Sequence, residues 1–267
     1  CSIFCFDKVE EKTFHVDTEN IGAERYFYDT AKGKNQTIEK MLGKLESIFN
    51  AAYNKLLQTE DIGSLMDPEK AAIAYFVAVQ ELRTREFRQS LKNIASQLKE
   101  KLSGYKMTEK FKKQLEDIQG EESAKNRQLK FIVDKADRYA KIMGVMKWML
   151  LVNETKLPYW TSDHPINRHN DIDNGTYGKL GLLSEGIQIY FPLSVKISLL
   201  FCDPDLFGIL PGKVSVQEKN VVFQNHLQVA WSTRHIFSMN DDFGLAKQMI
   251  AEHPELKDIN RPRFSVL

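Results

Sequence analysis

Apolar residues recur at helical spacing through the middle of this chain and at strand spacing toward both ends. Leu42, Leu45, Phe49, Ala52 and Leu56 share one face of an amphipathic helix. Ile73, Phe76, Val77, Gln80, Arg83, Phe87 and Leu91 form a second stripe at spacings of three and four. The Asp67-Pro68 pair before it is a start signal, and Ser103-Gly104 is a stop. Together they predict one long helix from Asp67 to about Leu102. A shorter helix carries Phe111, Leu115 and Ile118. Leu129, Ile132, Ala136, Tyr139, Met143, Met146 and Leu150 mark a last long one, so the helical middle covers about residues 37–153.

The flanks read differently. Ser2–Phe6 and Thr13–Val16 are β-rich runs around the charged turn Lys8–Lys12, the pattern of a hairpin. An irregular stretch then ends in the aromatic cluster Tyr26, Phe27 and Tyr28. After Pro158, strands are expected at Tyr159–Ser162, Gly186–Phe191, Lys196–Cys202 and His235–Ser238, separated by Pro, Gly, Asn and Asp turns. Helices are expected at Val216–Trp231 and Phe243–Glu252, and the tail from Asn260 reads as extended. The fold class is α+β: one domain over residues 1–267, its helical middle packed on a mixed or antiparallel sheet. That sheet is built from the N-terminal hairpin and the C-terminal strands, residues 1–28 plus 158–240. Cys1 opens the chain without a Met and almost in mid-strand, so the natural start is expected to lie upstream.

Composition narrows the class without naming a function. The chain is 42% hydrophobic and 27% charged, ordinary for a globular protein. Its 37 Lys and Arg nearly balance 36 Asp and Glu, so no global field steers it toward nucleic acid or an anionic membrane. Apolar runs such as Trp148 to Val152 are too short to span a bilayer. Cys1, Cys5 and Cys202 form no Cys-x-x-Cys pair, which suits small apolar packers in a reducing, cytoplasmic setting.

Candidate chemistry comes from polar residues in apolar places. Gln80 and Arg83 interrupt the long stripe, and burying such groups unpartnered costs on the order of 2–7 kcal/mol for a neutral group alone. They need polar partners, water or a ligand. Thr161-Ser162-Asp163-His164-Pro165 ends a strand in a polar turn, where functional side chains are often displayed. Ser162, Asp163 and His164 are no triad, since adjacent residues on an extended chain point to opposite sides. Asp163 reads either as a turn former bonded to nearby backbone or as a working carboxylate. Asn225, between Val222 and Val229, reads as a cap for a neighbouring segment or as a substrate-orienting amide. No His pair has the spacing of a helical zinc motif, and Asp171-Ile172-Asp173-Asn174-Gly175 fails the calcium-loop pattern at Thr176 and Leu182. These motifs give no metal site, and the sequence leaves any cofactor unknown. Glycine-rich phosphate motifs are missing from the sequence. The lysines between Lys92 and Lys113 read as a solvated face with at most weak, salt-sensitive nucleic-acid contact.

Several of these pieces occur together in a known order. Asn20-Ile21-Gly22-Ala23-Glu24 with Phe27-Tyr28, Gln80-x-x-Arg83-Thr84, Thr161-Ser162-Asp163-x-Pro165, Tyr190-Phe191-Pro192-Leu193-Ser194 and Asn225 with Ala230 resemble the bacterial domain of unknown function family number 4238. The likeness spans nearly the whole chain. An N-terminal His-x-x-Pro-Gln signature usual in that family is not in this sequence. The resemblance implies no established activity, but its polar marks fall on the residues that periodicity singles out.

Two functional expectations follow. In the first, Arg83 and Asp163 are the catalytic pair of a hydrolase acting on a phosphate-bearing small molecule or nucleic acid. Arg83 would grip phosphate, Asp163 would be the general base or a metal ligand, and Gln80, Thr84, Ser162 and Asn225 would hold substrate. In the second, the same polar cluster is architectural and the chain is a non-enzymatic binding or regulatory module.

Overall fold

The computed structural model describes residues 2–17, 29–30, 33–34, 36–172, 180–208 and 211–263, with side chains given for 2–17, 43–172 and the later segments. Tyr26–Tyr28 and most of the calcium-like loop fall outside the described residues.

β1 (Ser2–Asp7) and β2 (Lys12–Asp17) pair as the expected hairpin. A small ladder, β3 (Asp29–Thr30) with β4 (Gly33–Lys34), precedes α1 (Gln36–Thr59). Four more helices follow: α2 (Asp67–Leu82), α3 (Arg85–Lys101), α4 (Glu109–Asp117) and α5 (Glu121–Val145). The cap of α2 lies one residue ahead of the Asp67-Pro68 signal. The Glu69 carboxylate accepts Met66 N–H at 2.7 Å, so Met66 is the cap.

The expected single helix from Asp67 to Leu102 breaks at Arg83-Thr84. Thr84 takes an extended conformation and caps α3, its Oγ1 accepting Phe87 N–H at 3.2 Å. Threonine is a favoured cap, and here a neighbour supports the break. Gln128 of α5 donates to the Leu82 and Thr84 carbonyls at 2.8 and 2.7 Å, replacing donors that an unbroken helix would supply. Arg83 therefore sits at the end of α2 rather than in a continuous stripe.

A second correction concerns the end of the helical middle. Helix α5 stops at Val145, and Lys147–Asn153 is a strand, β5. An unbroken apolar run such as Trp148 to Val152 suits a buried strand as well as a helix, and periodicity alone does not separate them. The remaining elements are β6 (Thr161–Ser162), β7 (Asn167–Asn170), β8 (Ile187–Pro192), β9 (Ile197–Cys202), β10 (Lys213–Val216), α6 (Glu218–Trp231), β11 (His235–Ser238) and α7 (Gly244–Glu252).

The fold is α+β, but its strands divide into two main sheets where one was expected. The hairpin joins only a small antiparallel sheet of order β2-β1-β11-β6, with Phe4 opposite Ser238 and Ile236 opposite Ser162. The larger sheet has order β10-β5-β9-β8-β7, antiparallel except where β10 runs parallel to β5. Alternation decides what each face of that larger sheet meets. Leu150, Leu199, Phe201, Ile189 and Phe191 pack under α1, α2 and α5 in the largest core. Leu151, Tyr190, Leu200 and Cys202 face the other way, toward Phe223 and Leu227 of α6. Further along α6, Val229 packs with Phe6 and Ile236 of the small sheet and with Trp160 and Phe243. Helix α6 therefore touches both sheets, and its C-terminal end points into the junction between them and the helices.

Candidate functional site

At that junction a buried polar seam joins five segments far apart in sequence. They are the α2–α3 break, the Ser162–Asn167 corner, the turn after α6, the β1–β2 turn and the C-terminal tail. Asp163 is its centre. One carboxylate oxygen accepts Thr233 N–H at 2.7 Å, and the other accepts Arg234 N–H at 2.8 Å and His235 N–H at 2.9 Å. A carboxylate offers about four acceptor sites, so three strong donors leave little for a substrate proton. The bonded backbone begins 70 residues downstream of Asp163, whereas the sequence pattern suggests a local turn.

Ser162 is equally committed. Its hydroxyl lies 2.7 Å from Gln228 Oε1, and it accepts His164 N–H at 3.2 Å. Asn225 brackets the preceding strand, accepting Trp160 N–H at 2.9 Å and donating to Pro158 O at 3.0 Å. This is the capping role. Thr84 donates to Glu81 O at 2.9 Å and meets His164 Nδ1 at 2.8 Å. A hydroxyl has one hydrogen, and Glu81 O takes it, so His164 must donate from Nδ1. Burial pushes the His164 imidazolium pKa down to about 3, reinforced by the positive charges of Arg263 and Arg168. The ring is neutral and lies against Trp231, with centroids 5.7 Å apart.

Arg83 stands apart from this seam. Its Nη1 is 3.4 Å from Glu46 Oε1, and the two side chains are 29% and 50% exposed. Among the described residues no hydrogen bond or ion pair joins Arg83 to Asp163, Ser162 or Asn225. Gln80 is half-buried on α2. The structure thus brings Thr84, Ser162 and Asp163 into one seam through His164, and leaves Arg83 on an outer pair.

Sequence reasoning passed over the charges that fill the seam. Lys8 is fully buried, and its Nζ donates to Val229 O at 2.9 Å and Ser232 O at 2.8 Å. Arg263 donates to the same Ser232 carbonyl at 2.9 Å and pairs with buried Glu86, while Arg261 reaches Ala230 O. Three basic side chains, Lys8, Arg261 and Arg263, thus meet the carbonyl end of α6, where the helix dipole is negative. Burial, then the charges of Arg261 and Arg263, push the Lys8 pKa down to about 6; Asp163 and Glu86 act in the opposite direction. Burial likewise raises the Glu86 pKa, with Arg263 and Ser90 opposing it. Only a buried partner makes such residues legible, and no periodicity reports one.

A second group lies on the opposite, helix-covered side of the larger sheet. Lys135, Arg138 and Arg168 line a groove of about 480 Å³ together with Phe131, Tyr139 and Leu182. Arg168 lies 2.7 Å from the buried Glu81 carboxylate and 5.8 Å from the Tyr139 ring centroid. Asp137, the acid beside Arg138, is already paired with Lys141 at 2.6 Å. The lysine-rich stretch expected to be solvated is paired in part, Lys99 with Glu116 at 3.1 Å and Lys112 with Glu109 at 3.0 Å. Among the described residues no cluster of three or more His, Cys, Asp or Glu could hold a metal, and no helix is long and apolar enough to cross a membrane.

Neither the curated proteins nor the solved structures provide a match to this chain. The model of the family described as Protein of unknown function (DUF4238) matches residues 1–242, and the chain belongs to that family.

Proposed function

We propose that this chain is a non-enzymatic binding module for a phosphate-bearing ligand, and that the seam around Asp163 is architectural. The observation that carries the reading is the groove between α5 and the Gly181–Ser184 turn, where two exposed cations and Arg168 converge beside two aromatic rings. Guanidinium and ammonium groups suit phosphate oxygens, and Phe131 and Tyr139 offer faces for a base. A hydrolase working through Arg83 and Asp163 is the rival. It needs a carboxylate with free acceptor sites, and Asp163 spends three on backbone N–H groups. We place the protein in the bacterial cytoplasm, where the free, buried Cys5 and Cys202 thiols stay reduced.

Titration calorimetry with ADP and with pyrophosphate tests the proposal. Lys135→Glu with Arg138→Glu lies on the exposed side of α5, so the fold should persist while affinity falls at least roughly tenfold. Binding by the wild type should also weaken as salt rises. Unchanged binding in the double variant refutes the groove. Turnover of p-nitrophenyl phosphate that disappears in Asp163→Asn without a change in melting would restore the hydrolase.

A further inference from the structure

The face of the larger sheet that α6 covers is incompletely filled. Between β10, β5, β9 and β8 and the first turns of α6 lies a cavity of about 400 Å³. Its walls are mainly apolar, with Met149, Leu151, Leu200, Val214, Val216 and Phe223 contributing. Five polar residues also line it: Ser215, Gln217 and Asn220 are exposed, and for the buried pair, Tyr190 and Gln224, neighbouring bonds fix what each can offer.

Asp171 accepts Gln188 Nε2 at 2.6 Å, which turns the Gln188 amide oxygen toward the Tyr190 hydroxyl. Tyr190 must donate there, so its remaining capacity is that of an acceptor. Gln224 donates from Nε2 to Tyr159 Oη at 3.4 Å, and Tyr159 directs its own hydrogen to Leu151 O. The Gln224 amide oxygen is left without a partner, although the residue is only 4% exposed. A buried acceptor without a donor is costly unless something supplies one.

We infer that this cavity is a binding site for a neutral, mostly apolar small molecule that donates a hydrogen bond from a hydroxyl or N–H to Gln224. A cavity of about 150 Å³ holds benzene, so this one suits a molecule of bicyclic aromatic size. Charge is disfavoured on chemical grounds: no charged residue lines the cavity, so a buried charge there would lack a counter-ion. The site is separate from the phosphate groove. Pleating puts Arg168, opposite Ile189, on one face of the sheet and Tyr190 on the other.

Indole and indene test it, being nearly isosteric while only indole carries an N–H. Their affinities for the wild-type protein are measured by titration calorimetry or saturation-transfer NMR. Indole should bind roughly five- to tenfold more tightly, the share of one net hydrogen bond. Gln224→Leu should reduce indole to the level of indene. Val214→Trp, on the edge strand, should fill the cavity and abolish binding of both. Equal affinity of the two probes for the wild type overturns the inference even if a variant fails to fold. So does no binding at all, or binding that survives Val214→Trp in a folded protein.

Discussion

His164 should make the stability of this protein fall in mild acid, and the size of the fall can be worked from its surroundings. The ring is neutral, buried against Trp231, and bonded through Nδ1–H to Thr84. In the unfolded chain it protonates near its ordinary value of 6.5, whereas in the folded protein burial and the neighbouring Arg263 and Arg168 hold the pKa near 3. Between those values the unfolded state binds the extra proton, so stability is complete above 6.5 and is lost as pH falls toward 3. At pH 5 the linkage amounts to about 2 kcal/mol relative to pH 7.5. For a chain of this size that is a drop of roughly 4–8 °C in melting temperature. His164→Gln keeps an amide donor for Thr84 but carries no titrating ring. Thermal melts followed by circular dichroism at pH 7.5 and pH 5 should show a smaller acid loss in the variant, by about that amount. Glu86, whose raised pKa acts with the opposite sign, is present in both proteins and largely cancels in the comparison. Equal pH dependence of wild type and variant would refute the reasoning.

The other substitutions separate architecture from catalysis. Asp163→Asn places an amide where three N–H groups converge, so it should destabilise by about 1–3 kcal/mol, read as a lowered denaturation midpoint in urea. Thr84→Ala removes the α3 cap and the partner of His164, and should cost about 1–2 kcal/mol in the same assay. Arg83→Ala breaks only a long, partly exposed pair with Glu46, so its midpoint should stay within about 0.5 kcal/mol of wild type. Lys8→Met should flatten the rise of stability between about pH 6 and 10, because the unfolded lysine alone holds its proton through that window.

The parts of the fold legible in the sequence are those with a single local explanation. The hairpin at Ser2–Asp7 and Lys12–Asp17 follows from two β-rich runs around a charged turn, and α6 and α7 follow from their periodicity. The break at Thr84 was hidden because threonine is tolerated inside a helix. What ends α2 is the Gln128 amide arriving from α5, a contact no local pattern contains. Likewise Trp148 to Val152 fits two structures until its pairing with Ile197–Cys202 selects the strand.

The polar marks teach a sharper distinction. Polar residues in apolar stripes do need partners, and Thr84, Ser162, Asp163 and Asn225 all have them. Those partners are mostly backbone groups of other segments: Thr233 to His235 for Asp163, Trp160 and Pro158 for Asn225. Such bonds specify how the small sheet docks beside the helices, since displacing either segment would leave several buried groups unsatisfied at once. A ligand site requires the opposite condition, polar capacity left over after the fold is complete. Among the described residues the Lys135–Arg138 groove and the Gln224 amide oxygen are two places where such surplus borders open space. Lys135 and Arg138 look like ordinary solvated residues on the outer face of α5, and Gln224 looks like one polar residue among several on α6. Unspent hydrogen-bonding capacity is a property of the assembled surroundings, so neither place could be singled out from residue type and spacing.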